Sequence, residues 1–297
     1  MTRRPRFRRD SSDLGLRLTP RDVEILRQVS RHRFLNSRQI AVLVRGSSQQ
    51  ILRRLQRLYH HGYLDRPRAQ VRYFSEDKMQ PLVYGLGRAG TRVVADPEHP
   101  LPRLDNRNVK QVYLQHTLLV ADVMVAFVQA CRRKGAPRLI EEDELSADTR
   151  RADDFRWSAT VARQSERRRV GVIPDRVFAL ESPTTGERVL YFVEADRSTM
   201  PVTRHSLNKS SLLRKLLSYE ATWQQGVQRE KFGCERFRVL IVTSGTKRID
   251  SAVAACGELS RGRGLFLFTD ADSLRASADA LTHPWRNASG GTEPLTR

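Results

Sequence analysis

Residues 170–219 constrain the fold of this chain more than any other stretch. Two apolar runs, Val170–Leu180 and Val189–Asp196, are rich in β-branched and aromatic residues, and Pro183, Thr184, Thr185 and Gly186 stand between them as turn formers. This pattern predicts a β-hairpin. Acids sit at the ends of both runs: Asp175 in the first, Glu194 and Asp196 in the second. Side chains alternate along a strand, so Glu194 and Asp196 share one face while Val193 and Ala195 share the other. Asp175, near the start of the antiparallel partner, is expected opposite them. A helix follows, with Leu212, Leu213, Leu216, Leu217 and Ala221 as its apolar side and with Lys215 and Tyr219 one turn apart on a common face.

Three carboxylates at one edge repel one another unless a cation, a shared proton or a Lys or Arg neighbour offsets the charge. Mg²⁺ is one such solution. It takes oxygen ligands, is held by one or two carboxylates, and assists phosphodiester cleavage. The plainer reading makes Glu194 and Asp196 solvated strand-end acids paired to Arg197 or Arg176.

Pro174-Asp175, then Glu194 and Asp196 beginning nineteen residues after Asp175, then a helix with Lys215 and Tyr219, resembles the PD-(D/E)xK nuclease superfamily. Within it the chain resembles the replication-relaxation family of plasmid and mobile-element proteins, from about Leu18 to about Asp270. The resemblance implies an N-terminal winged helix-turn-helix joined to a restriction-endonuclease-like α/β domain with a central mixed sheet, an α+β or α/β chain overall. It assigns Asp175, Glu194, Asp196, Lys215 and Tyr219 to the catalytic position, with Asp175 and Glu194 as ligands for Mg²⁺. Active members carry Lys two residues after the second acid, and here Asp196 holds that place. Lys215 is the candidate to stand in for it from the following helix. Asp122, on the helix before the sheet, is a further candidate acid.

Charge points to an anionic partner. The chain carries 53 Lys and Arg against 33 Asp and Glu, a net +20. Residues 1–96 hold 21 of those bases and only 8 of the acids. An excess of this size favours double-stranded DNA over a membrane surface. No run of about 18 apolar residues suggests a membrane span, and residues 1–10 lack a secretory pattern, so a cytoplasmic protein is expected. Cys131, Cys234 and Cys256 have no metal-ligand spacing.

In chain order, residues 1–17 read as a flexible basic arm. Thr19 and Pro20 then mark a helix start, Asn36-Ser37 a second, and Ser48–His60 a third, closed by Gly62. Ile51, Leu52, Leu55, Leu58 and Tyr59 are expected inward on the third helix. Ser48, Gln49, Gln50, Arg53, Arg54 and Arg57 are left for DNA, as in a recognition helix entering the major groove. A basic loop from Arg66 to Lys78, with Arg66, Arg68 and Arg72, reads as a wing. Residues 18–96 thus form the expected DNA-binding domain. Gly85–Gly90 is glycine-rich but lacks the strand–turn–helix context of a nucleotide loop.

Residues 97–111 are expected to be a linker, 112–282 the α/β domain, and 283–297 a disordered tail. Within the α/β domain Leu139–Leu145 is expected as a first strand, and residues 148–169 as an inserted loop with Arg167, Arg168 and Arg169 available to DNA backbone. Phe237–Thr243, a helix from Ile249 to Leu259, and Leu265–Thr269 read as a parallel strand–helix–strand unit. The function expected is DNA binding in plasmid replication initiation or relaxation, with possible homodimerisation and contact to replication or relaxosome proteins. A metal-dependent endonuclease or nickase and a winged-helix repressor stand as alternatives.

Overall fold

The computed structural model describes residues 6–9, 15–71, 80–95, 105–149 and 155–296. Arg72, most of the loop expected from 66 to 78, and the proline-rich 97–102 segment lie outside the described residues. The chain divides into two compact units, 1–125 and 126–297.

In the first unit α1 (Pro20–His32), α2 (Ser37–Val44) and α3 (Ser48–His60) precede β2 (Leu64–Asp65), β3 (Val83–Leu86) and α4 (Arg88–Val94). The pair Leu35–Asn36, β1, lies between α1 and α2, and β3 is the middle strand of a three-stranded antiparallel sheet in the order β1-β3-β2. The helix starts follow from capping chemistry. Thr19 accepts from the Asp22 amide while the Asp22 carboxylate accepts from the Thr19 amide, and Asn36 and Gln39 make the same reciprocal box at α2. Ile25, Leu26, Val29, Ile40, Ile51, Leu55 and Leu58 bury the facing sides of the three helices.

The glycines of Gly85–Gly90 are packing residues. A Cβ at Gly87 would stand 2.2 Å from the Gly62 carbonyl oxygen, and one at Gly90 would stand 2.1 Å from that of Tyr63. Only hydrogen allows α4 to approach the turn after α3 so closely. Residues 105–110 do not behave as a free linker. Asn106 is buried, donates to the Leu86 carbonyl at 2.6 Å and to Asp65 at 2.9 Å, and accepts from Arg33 at 2.7 Å.

Helix α5 (Gln111–Cys131) crosses the division between the units. Among the described residues it is the one helix long and apolar enough to span a membrane, and half of its most apolar window is buried within the protein.

The second unit is built on a seven-stranded mixed sheet. Its strands are β4 (Arg138–Glu141), β7 (Arg176–Glu181), β8 (Arg188–Asp196), β9 (Phe237–Thr243), β10 (Phe266–Asp270), β11 (Trp285–Asn287) and β12 (Thr292–Glu293), hydrogen-bonded to one another in that order. Strands β8, β9 and β10 run parallel, and the remaining pairs are antiparallel. Helix α6 (Glu142–Thr149) begins immediately after β4, so the expected strand 139–145 ends at Glu141. Three acids in the first turn, Glu142, Asp143 and Glu144, suit a helix N-terminus and not a strand.

The first apolar run is also interrupted. Val170–Val172 belongs to β6 (Glu166–Val172), which pairs with β5 (Trp157–Arg163) in a separate two-stranded ribbon, and Val177–Leu180 belongs to β7. Ile173, Pro174 and Asp175 separate the two. Proline cannot donate to a ladder, which is reason enough for the break. The expected loop at 148–169 is thus largely this ribbon, whose inward residues Trp157, Ala159, Val161, Val170 and Val172 join the core. Its outer edge is closed by Gln225, whose amide donates to the Thr160 carbonyl at 2.7 Å and accepts from the Thr160 amide at 3.2 Å.

Helix α7 (Leu212–Gln224) lies on the face of the sheet shared with the ribbon, followed by α8 (Val227–Phe232); α9 (Thr246–Ala255) connects β9 to β10. On the opposite face Phe178 stacks on Tyr191 at 5.1 Å and meets Phe127 of α5 at 4.6 Å. The tail expected to be disordered is part of the sheet. Trp285 is 0% exposed and donates to the Ala280 carbonyl at 3.0 Å, and His283 shares a 2.7 Å hydrogen bond with Thr269. A single large aromatic residue supplies the buried area that a count of apolar residues in this polar segment underrates.

Candidate functional site

The acids gather where β7 and β8 approach α7. The pairing of Arg176 with Val193 fixes the hairpin register, and the Asp175 amide donates to the Val193 carbonyl at 3.0 Å. The Asp175 carboxylate then accepts from the Ala195 amide at 2.8 Å, taking over the next rung of the ladder with its side chain. Glu194 points to the α7 face and is 3% exposed. One of its oxygens accepts the Tyr219 hydroxyl at 2.6 Å, and the other pairs with the Lys215 ammonium. Asp175, Glu194, Lys215 and Tyr219 are therefore brought together.

Asp196, two residues along the same face, is also buried and turns to a different partner. It accepts from the Arg248 guanidinium at 2.6 Å and from the Ser198 amide at 3.0 Å. Arg248 also donates to the Met200 carbonyl at 2.6 Å. Arg197 and Arg176 are the partners expected for these acids, and the ion pair shown for Asp196 is with Arg248. Arg248 stands in the first turn of α9, so only the parallel β8–β9 pairing reveals it, and nothing in the spacing of the acid motif could have done so.

The protonation behaviour follows from this arrangement. Burial raises the Glu194 carboxyl above its usual range, and the nearby Asp175 charge adds to the rise, which the Lys215 ammonium and the Tyr219 hydroxyl only partly offset. Burial works to lower the Lys215 ammonium, but attraction to Glu194, Asp175 and Asp196 outweighs it and holds Lys215 above the ordinary lysine value. Burial, together with the Glu194 charge, pushes the Tyr219 phenol well above its usual value, so Tyr219 remains a donor. The mutual repulsion of the three acids is thus met by two basic side chains, Lys215 and Arg248.

Mg²⁺ fits this donor set poorly. Both Glu194 oxygens and one Asp175 oxygen already accept hydrogen bonds. Among the described residues, no group of three or more His, Cys, Asp or Glu side chains comes together in a way that would hold a metal ion. Asp122 accepts from the Gln39 side-chain amide at 2.6 Å within the first unit.

The first unit presents a separate surface. Ser48, Gln49, Gln50, Arg53 and Arg57 are exposed on α3, and Arg21 of α1 donates to Gln50 at 3.4 Å. Thr19, Pro20, Arg21, Gln50, Arg53 and Arg57 line a shallow cleft there. Arg54 also borders the cleft, but its guanidinium is held on the fully buried Asp22, donating through Nε at 2.8 Å. Burial would raise the Asp22 carboxyl, yet the hydrogen bonds from Arg54 and Thr19 outweigh it and hold the group below its usual value.

Arg66 is likewise used internally. Its guanidinium lies 4.0 Å from the Tyr59 ring centroid and donates to the Tyr84 hydroxyl at 3.2 Å. Arg68 is exposed in a single 3₁₀ turn. Leu52, expected inward, is 47% exposed beside Arg53.

A two-unit α+β chain with a large mixed sheet, in which a part-exposed lysine joins a buried glutamate and a buried tyrosine, is the class these features define. The replication-relaxation family model matches residues 26–235, and the chain belongs to that family. No curated protein and no solved structure matched it.

Proposed function

We propose that this chain is a duplex-DNA-binding protein acting in the replication or relaxation of a plasmid or integrative element, with its first unit serving as a winged helix-turn-helix. The observation that carries the reading is α3. One side of it is core, while Gln49, Gln50, Arg53 and Arg57 stand exposed together on the other. Gln reads adenine in the major groove, and Arg reads guanine or neutralises phosphate. In the second unit the Glu194–Lys215 pair ties β8 to α7 and makes the nuclease-like sheet a scaffold. The test is DNA binding by the full chain with Arg53→Gln and Arg57→Gln combined. The reading predicts weaker binding at every salt concentration, and unchanged binding would remove α3 from the interface.

A metal-dependent endonuclease is the second reading, favoured by the position of Lys215 on Glu194 beside Asp175. It requires the Glu194 oxygens to exchange their present donors for a cation. A melting-temperature rise with Mg²⁺ or Mn²⁺ that disappears in Asp175→Ala, together with nicking of supercoiled plasmid lost in Glu194→Ala, would establish it.

A further inference from the structure

We propose that the β5–β6 ribbon of the second unit is an additional surface for double-stranded DNA, taking the phosphodiester backbone through Arg167, Arg168 and Arg169. The proposal rests on the reading of the chain as a DNA-binding protein and places a contact outside the first unit.

The ribbon register assigns two faces. Trp157 opposes Val172 and Ala159 opposes Val170 on the core side. On the outer side Thr160 opposes Arg169, Ala162 opposes Arg167 and Ser158 opposes Gly171. Small and hydroxylic residues therefore surround two arginines that stand about 7 Å apart, the repeat of alternate residues on a strand. Arg169 is steadied by donating to the Ser158 hydroxyl at 2.6 Å. Arg168, between them in sequence, is exposed as well, although it follows the inward alternation.

An exposed basic strand is commonly no more than a solvated surface. Here residues 156–172 hold five arginines and a single acid, Glu166. That acid is already engaged, accepting from the Leu207 amide at 3.0 Å and the Ser206 hydroxyl at 3.4 Å. Arg163 is taken by Glu258 at 2.7 Å. Among the described residues no acid forms an ion pair with Arg167, Arg168 or Arg169, so three adjacent like charges stand without a counter-charge on the ribbon. Arg163 also donates to the Arg204 carbonyl at 2.6 Å, which brings the loop with exposed Arg204 and Lys209 beside the ribbon's turn. A two-stranded ribbon has a width that the major groove admits, and guanidinium groups pair with phosphate in a bidentate fork.

The experiment uses the full chain and a duplex of random sequence, with affinity measured across a salt series. Substituting Arg167→Gln, Arg168→Gln and Arg169→Gln together should lower affinity and reduce the slope of log K against log salt by about 2 to 3, the loss expected for three phosphate contacts. Lys at the same three positions should restore most of the slope. Arg229→Gln, which removes one exposed charge on α8, should leave it unchanged, and a loss there of about a third of the triple's would overturn the proposal by showing a net-charge effect. A slope unaffected by the ribbon triple, with binding lost in the Arg53 and Arg57 variant, would overturn the ribbon and leave the first unit's role intact. The opposite pattern would support the ribbon and remove α3. A ribbon-dependent preference for single-stranded RNA over duplex DNA would overturn the partner named here. All three side chains are exposed, so an unchanged melting temperature is expected and serves as the folding control.

Discussion

Lys215 on α7 meets Glu194 on β8 across twenty-one residues of sequence, and the pair closes the site from the helix side. Glu194 is almost completely buried, whereas the Lys215 side chain is 38% exposed, so the charge with the larger solvation loss depends on the one that keeps some of its water.

Replacing Lys215 by Met should destabilise the protein in a pH-dependent manner. The folded carboxyl of Glu194 lies above its unfolded value, so its contribution to stability declines as pH rises from the ordinary glutamate range through that raised value. Without Lys215 the rise is larger. The loss should therefore be small near pH 4 and reach about 2 kcal/mol near pH 8, reduced from the fully buried case because Lys215 is part-exposed. Glu194→Gln in the same chain should flatten the profile. Urea unfolding at a series of pH values checks both outcomes, and a pH-independent loss would contradict the burial argument. In the wild type the Lys215 contribution is present below the ordinary lysine value and disappears as pH rises through its raised one.

Arg248→Met should cost about 3 kcal/mol, because it leaves the buried Asp196 carboxylate without its guanidinium. Asp196→Asn should cost less, since the amide retains an oxygen for Arg248. Chemical denaturation of the two single variants and the double variant gives the coupling directly, and additive effects would show that the contact carries no energy.

Gly90→Ala should destabilise the first unit by about 4 kcal/mol, within the range of severe steric changes. Gly171→Ala, where a Cβ meets nothing within 4 Å, should stay within about 0.5 kcal/mol of the wild type. Circular dichroism melts distinguish the two, and a tolerated Gly90→Ala would mean that α4 can withdraw from the Tyr63 carbonyl.

Trp285→Ala should cost about 3 to 5 kcal/mol, the usual price of deleting a fully buried large aromatic. Differential scanning fluorimetry reads it. A shift of less than 1 °C would show that the terminal strands dock without stabilising the sheet.

Much of the molecule was legible in the sequence. The hairpin of β7 and β8, the parallel β9–β10 pair, and the three opening helices follow from alternation, helical spacing and capping residues. What was not legible depended on partners distant in the chain. Arg248 reaches Asp196 only because β9 lies alongside β8, and Arg54 turns inward because Asp22 waits beneath it. Leu52 fits the apolar pattern of α3 yet faces outward, since periodicity assigns a stripe without fixing its margins. The β6 half of the ribbon was hidden by its charge, for the three arginines obscure an alternation that in this strand only Val170 and Val172 retain.

The break at Pro174 gives the acid cluster a mechanical neighbour. Three residues join the end of the ribbon to the start of β7, and the last of them, Asp175, holds the Ala195 amide. A second connection runs through Trp157, which donates to Thr222 at 2.7 Å, three residues past Tyr219 on α7. The ribbon is thus tied to the acid cluster by two routes, through the backbone to Asp175 on one side of Glu194 and through Trp157 and the helix on the other.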